Sequence, residues 1–318
     1  MTAEFPAAPV NGIKPGIVVI VGPTASGKSE LAVRLAEKFA GEIVNADSMQ
    51  VYSEMAIGTA RPPAEMLVRV PHHLFGIVPP DINFTAADFR HEARGVITGI
   101  IGRGKLPVIS GGTGLYIRVL LGGLAESPTG DAPYRQELLE FAAVNGLAAL
   151  HARLQAVDPD TAVRLHPNDL FRVIRALEVY QQTGRTFTDL QAVHQFSESW
   201  CRALKIGIHV ERAELYARIE RRVDQMLADG LVAEVRQLLD CGYSAGMKAM
   251  GAIGYREISE HLGGKSSLSE AVELIKRNTR RYAKRQLTWF RNDPEISWFR
   301  YPDAFGEISA LVSRFLDE

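Results

Sequence analysis

The chain has 318 residues, 46% of them hydrophobic and 23% charged, with 36 Lys and Arg against 37 Asp and Glu for a formal net charge of −1. That length allows two domains or one large domain with an insertion, and the balance excludes a polycation that grips nucleic acid with its whole surface. The cysteines Cys201 and Cys241 make neither a disulfide framework nor a zinc pattern, which fits a reducing cytoplasm, and no apolar run approaches the roughly 18 residues of a membrane span.

Met1 to Pro15 carries Ala and Pro without a basic start and a long apolar stretch, so it reads as a frayed tail rather than a signal peptide. The first predicted strand, Ile17–Val21, runs into Gly22-Pro23-Thr24-Ala25-Ser26-Gly27-Lys28-Ser29. A helix-period segment with Leu31, Val33, Leu35, Ala36 and Phe39 follows. This is G-x-x-x-x-G-K-[ST] in the strand–loop–helix context that the motif needs. Glycines let backbone N–H groups turn inward around an anion, and the helix points its positive end at the same place. Lys28 adds a mobile charge and the Ser29 hydroxyl can ligate Mg²⁺. The chain therefore grips a polyphosphate.

A second strand, Glu42–Asn45, leads into Asp47-Ser48-Met49-Gln50-Val51-Tyr52. An aspartate beside a phosphate loop can bind Mg²⁺ or act as a base, and a plain turn aspartate is the alternative. His72-His73 has no companion cysteine or carboxylate at ligand spacing. A third strand, Leu106–Ser110, leads into Gly111-Gly112-Thr113-Gly114-Leu115-Tyr116. These glycines allow a close backbone approach, or simply a tight turn, and Thr113 is the side chain there able to make a specific contact. The alternation predicts an α/β fold: a P-loop parallel sheet with flanking helices and the ligand at the C-terminal strand ends. The third strand ends in Ser-Gly-Gly instead of an acid, which argues against a motor-type ATPase. Small-molecule kinases and other phosphate-binding transferases remain.

A break at Leu121–Gly130 is followed by helical sequence: Pro133–Ala143, a start at Asp158-Pro159, and Leu170–Gln182 between the Asn168-Asp169 cap and Gly184. Phe171, Val173, Ile174, Leu177 and Tyr180 form one face, with Arg172 and Arg175 on its neighbour. This divides the chain into a core part at 1–124, a small all-helical insertion domain at 125–195, and a second core part at 196–318. A further strand, Leu204–Val210, then precedes helices at Ala213–Ala228, Leu231–Leu239 and Ser269–Arg291. Residues 276–291 hold seven basic side chains and no acidic one, interleaved with Tyr282, Trp289 and Phe290. That suits a phosphate-backbone footprint, or a solvated basic helix with its aromatics in the core. Arg218 and Arg222 form an i,i+4 pair on a helix of mixed charge.

The strings Gly-Pro-Thr-Ala-Ser-Gly-Lys-Ser (22–29), Asp-Ser-Met-Gln-Val-Tyr (47–52), Ile-Gly-Thr-Ala-Arg-Pro (57–62) and Gly-Gly-Thr-Gly-Leu-Tyr (111–116) open a longer series. His-Pro-Asn-Asp (166–169), Arg-Ala-Leu-Glu-Val (175–179), Ile-Gly-Tyr (253–255) and Arg-Tyr-Ala-Lys-Arg-Gln-Leu-Thr-Trp-Phe-Arg (281–291) complete it. In this order they resemble the tRNA dimethylallyltransferase (tRNA isopentenyltransferase, IPP transferase) family along almost the whole chain. The resemblance implies that Gly22 to Ser29 hold the diphosphate of dimethylallyl diphosphate. The prenyl group would pass to N6 of adenine 37 in tRNA, without ATP hydrolysis.

It also implies roles. Asp47 is the base, and Thr24 hydrogen-bonds the diphosphate. Lys28, Arg218 and Mg²⁺ on Ser29 stabilise the leaving charge. Asp47, Ser48, Met49 and Gln50 meet the flipped base, while Thr113, Arg135, Phe171, Arg172, Val173, Ile174 and Arg175 hold neighbouring nucleotides of the anticodon stem-loop. Arg281, Lys284 and Arg285 in the basic tail join the tRNA-facing set, and a monomer is the family expectation. A nucleoside- or shikimate-type kinase and a non-catalytic RNA-binding module are the rivals. A small-substrate kinase has no need of the basic–aromatic tail.

Overall fold

The computed structural model describes residues 14–124, 128, 130–194 and 198–318. The Met1–Pro15 tail lies outside it up to residue 13, as do positions 125–127 and 129 of the break. The chain forms two compact units. One runs to Leu121 and resumes at Ser199, and the other is Gly122–Glu198.

The first unit opens with β1 (Gly16–Val21), α1 (Lys28–Lys38), β2 (Gly41–Asn45), α2 (Ala64–Leu67), β3 (His72–His73), α3 (Ala86–Gly102), β4 (Leu106–Ser110) and α4 (Gly114–Gly122). The helical unit follows with α5 (Ala132–Asn145), α6 (Leu147–Val157), α7 (Pro159–Arg164), α8 (Leu170–Thr183) and α9 (Phe187–His194). The first unit then closes with β5 (Arg202–Ile208), α10 (Arg212–Ala228), α11 (Leu231–Asp240), α12 (Tyr255–Leu262), α13 (Leu268–Arg291), β6 (Ser297–Phe299) and α14 (Phe305–Asp317). The four expected strands are present, the last shifted two residues toward the N-terminus. The short edge strands β3 and β6 are additions.

The strands form one parallel sheet in the order β3-β2-β4-β1-β5-β6. Val18, Ile20, Ile43, Val108, Ile206 and Ile208 share one core with Leu31 and Leu35 of α1 and with Ile308 and Val312 of α14. Val19, Val44 and Ile109 are also fully buried or nearly so. Strand alternation turns them to the opposite face, where α3 packs on β2 and β4. Both faces are thus covered, as continuous apolar strands demand. Insertion of β4 between β1 and β2 sets the loop after β4 between the phosphate loop and the Asp47 loop, at the carboxyl ends where such sheets bind ligands.

The helical unit has its own core, built from Leu138, Ala142, Leu150, Leu154, Ala162, Val173, Ile174, Ala176 and Leu177. Asp158 caps α7 by accepting the Thr161 N–H at 3.0 Å, as the Asp-Pro pair predicts. Leu154 is completely buried. Leu154→Ala should therefore cost about 2–5 kcal/mol, as core truncations do. Urea denaturation followed by circular dichroism checks this, and an unshifted curve would mean the unit has no cooperative core.

Candidate active site

The phosphate loop leaves β1 through Gly22 at φ 144° and enters α1 through Gly27 at φ 97°. A cavity of about 230 Å³ opens over it, lined by Thr24 to Ser29 together with Asp47, Gln50, Arg222 and Gln286. Lys28 Nζ donates to Pro23 O at 2.6 Å. Burial pulls the Lys28 amine down from the ordinary lysine value to about 7, with the Asp47 charge opposing and Arg222 reinforcing the shift. The Ser26 hydroxyl oxygen is buried without a hydrogen-bond partner among the described residues, so it is available to a bound group.

Asp47 is aimed by its neighbours. Asn45 Oδ1 accepts the Asp47 N–H at 2.9 Å, and Asn45 Nδ2 donates to Asp47 O at 3.1 Å and Leu74 O at 3.0 Å. One carboxylate oxygen accepts the Met49 N–H at 2.9 Å. The other has no hydrogen-bond partner among the described residues. Ser48 N donates to Thr113 Oγ1 at 3.0 Å, and Thr113 Oγ1 donates to Ser48 Oγ at 3.2 Å. Thr113 is therefore spent on holding the Asp47 loop.

The sequence-based reading overlooked Gln286. It sits inside the basic string yet is only 4% exposed. Its Oε1 accepts the Thr24 N–H at 2.8 Å and its Nε2 donates to Gly112 O at 2.9 Å. The glycines of the 111–114 string now have a steric reason. A Cβ at Gly111 would lie 2.2 Å from the Ala46 backbone, at Gly112 2.1 Å from Gln286 Nε2, and at Gly114 2.2 Å from the Trp289 ring. Tyr282, one turn before Gln286, has its hydroxyl pushed above the usual tyrosine range by burial and by the Asp47 charge, while hydrogen bonds to Thr113 and Gln286 pull the other way.

The structure corrects one arginine. Arg222, not Arg218, reaches the phosphate loop: its Nη1 donates to Thr24 Oγ1 at 3.4 Å and its Nη2 to Ala60 O at 3.3 Å. Arg218 is held by Glu214 at 2.5 Å on α10 itself and lines a separate pocket with Arg300 and Asp303. The two positions differ by about 40° around a 3.6-residue helix, and the docking of α10 decides which one enters the cavity.

Other expected site residues divide by burial. Val173 and Ile174 are 1% and 2% exposed and belong to the core of the helical unit, so they touch no outside ligand. Arg135 makes a two-pronged pair with the fully buried Glu178 at 2.9 Å for each prong. Arg175 shares Glu178 at 3.5 Å and donates to Pro128 O at 2.6 Å. These two arginines hold the unit together. Phe171, 80% exposed, and Arg172, beside Asp169 at 3.0 Å, face outward. On α13, Lys276 pairs with Asp224 and Arg280 with Glu220, whereas Arg281, Lys284 and Arg285 are exposed. His73 finds its carboxylate across the sheet, 2.7 Å from Glu42, which also binds Arg103.

No cluster of three or more His, Cys, Asp or Glu suited to a metal occurs among the described residues. The exposed Ser29 hydroxyl and the Asp47 carboxylate nevertheless line the same cavity. This sparse all-oxygen set fits a hard cation that takes its remaining ligands from phosphate and water.

An IPP transferase model matches residues 50–293, and an isopentenyl transferase model matches residues 15–71. The chain belongs to the IPP transferase family. It is 59% identical to the tRNA dimethylallyltransferase of Geobacter sulfurreducens over 304 residues, covering 96% of this chain and 98% of that one. Among solved structures of the family it resembles the full-length tRNA isopentenylpyrophosphate transferase of Bacillus halodurans, with 42% identity, TM-score 0.72, and coverage of 96% and 97%. It also resembles a eukaryotic dimethylallyltransferase captured acting on tRNA, with 29% identity, TM-score 0.82, and coverage of 95% and 80%.

The Lys28 amine generates a pH prediction. An ordinary lysine holds its proton up to about 10.5, and this one up to about 7. Between those values the unfolded chain keeps a proton that the folded protein has lost, so this group makes stability rise with pH across that window. An anion in the cradle reverses the preference. Inorganic diphosphate should bind with proton uptake at pH 8 and more weakly as pH rises toward 10. Calorimetry in buffers of different ionisation enthalpy checks this, and Lys28→Met should abolish most of the uptake.

Proposed function

We propose that this IPP transferase family member is a tRNA dimethylallyltransferase. It transfers the dimethylallyl group of dimethylallyl diphosphate to N6 of adenosine 37 in tRNA, giving N6-isopentenyladenosine and diphosphate. One observation carries the reading: a carboxylate with an uncommitted oxygen shares a cavity with an anion cradle and two cations. The transfer needs both halves at once.

The exocyclic amine of adenine is a weak nucleophile because its lone pair is delocalised into the ring. As the N6–C1 bond forms, Asp47 takes the N6 proton. As the C1–O bond breaks, its electron pair leaves on the diphosphate. The loop N–H groups, Lys28 and Arg222 meet that charge where it grows. Thr24, whose hydroxyl accepts from Arg222, lines the same cavity. Ser29 would hold Mg²⁺ against the diphosphate, where the ion would supply charge neutralisation.

The target adenine must leave its stack, at a cost of a few kcal/mol that contacts elsewhere offset. Ser48, Met49 and Gln50 frame the base. Phe171 offers an exposed ring for stacking and Arg172 a cation beside it, as single-stranded RNA loops require. Arg281, Lys284 and Arg285 supply the backbone footprint. Cys201 and Cys241 are both free thiols, which suits a reducing cytoplasm. No helix of the described residues is long and apolar enough to cross a membrane.

Asp47→Asn keeps an acceptor for the Met49 N–H and removes the base. It should lower turnover about 10²–10⁴-fold, measured as prenyl transfer to unmodified tRNA. Unchanged turnover would remove Asp47 from that role. Charge reversal at Arg281 and Lys284 should weaken tRNA binding and flatten its salt dependence, and an unaltered salt slope would leave that face of α13 without an RNA role. Phosphate transfer from labelled ATP, with none of the prenyl group from labelled dimethylallyl diphosphate, would establish the kinase reading instead.

A further inference from the structure

Glu234 stands in the first turn of α11, outside every motif above. Its Oε2 accepts the N–H groups of Ala56 at 2.9 Å and Ile57 at 2.8 Å, and its Oε1 accepts the Gly58 N–H at 3.1 Å and the Tyr255 hydroxyl at 2.6 Å. One carboxylate thus gathers three successive backbone donors of the 56–60 loop. The Tyr255 ring locks the same loop, because a Cβ at Gly58 would lie 2.4 Å from it. Burial and the Glu234 charge push the Tyr255 hydroxyl well above the usual tyrosine range, so it stays a donor to the carboxylate.

The loop is shaped for what it holds in turn. Ala60 lies in the left-handed region at φ 52°, a conformation a non-glycine residue keeps when its surroundings over-determine it. The Thr59 and Ala60 carbonyls accept Gln50 Nε2 at 3.0 Å each, and Ala60 O also accepts Arg222 Nη2 at 3.3 Å. The other prong of Arg222 lies on Thr24 Oγ1. A continuous chain of hydrogen bonds therefore runs from Glu234 through the loop to two side chains lining the cavity.

We infer that Glu234 is a positioning residue: it fixes the 56–60 loop so that its carbonyls aim Arg222 at the diphosphate and Gln50 at the base. The inference rests on reading the cavity as the transfer site. Glu234→Gln keeps the shape but leaves a single acceptor oxygen for four donors. It should lower kcat about tenfold or more, since small misplacements cost that much, with the KM for tRNA within about twofold of wild type. It should also weaken binding of inorganic diphosphate. The diphosphate loss should nearly vanish when Arg222→Ala is already present, and the kcat loss should shrink to the part carried by Gln50, because groups that act as one unit are not additive.

The test compares wild type, Glu234→Gln, Arg222→Ala and the double variant in full-length protein, by prenyl-transfer kinetics and by diphosphate titration. Losses that multiply in the double variant, or a lower Tm with unchanged kcat and diphosphate affinity, would overturn the positioning role. Should Glu234→Gln not fold, Tyr255→Phe removes one of the four bonds and keeps the ring on Gly58. It should give a smaller loss, about threefold on the same reasoning, with the same dependence on Arg222, and independence from Arg222 would overturn the role. Wild type that binds diphosphate yet prenylates no tRNA would count against the transfer reading, while the binding arm still decides the part played by Glu234.

Discussion

One side-chain amide organises the site. Gln286 satisfies a phosphate-loop N–H with its oxygen and a carbonyl of the 111–114 loop with its nitrogen. The Gly112 carbonyl is buried and the Thr24 N–H partly so, and an unsatisfied buried donor or acceptor costs about 1–3 kcal/mol. The bridge fixes the spacing of two strand ends. Through Tyr282 and Thr113 it also stands beside the loop that carries Asp47. Gly112 has no side chain because this amide occupies the space.

Around that bridge the charges are left deliberately unbalanced. Lys28 and Arg222 face Asp47, and burial works against both cations. Two desolvated cations against one carboxylate favour an added anion, and the electrostatics sharpen as water is excluded.

The fold and much of this site were legible in the sequence because they rest on local patterns. The strand–loop–helix around 22–29, the strands near 42, 106 and 204, and the long helices after 212 all follow from hydrophobic period, and the start of α7 from the Asp158-Pro159 pair. What escaped depends on contacts distant in sequence. β3 and β6 are two and three residues long, too short to carry a period. Arg218 and Arg222 share one helix face by spacing, and packing alone separates them. Gln286 looks like part of a basic footprint until burial reveals its partners. Val173 and Ile174, taken by resemblance as RNA contacts, form the core that presents Phe171 and Arg172. Arg135 and Arg175 show no sign in sequence of the buried Glu178 that claims them.

The two-sided character of α13 orders events in time. The phosphate loop at 22–29 is made well before the amide that braces it, at position 286. Arg222 and Glu234 also arrive late in synthesis. A nascent chain can lay down most of its sheet and still present an unbraced cradle. The bracing of the phosphate loop by Gln286 therefore waits until α13 has emerged and docked.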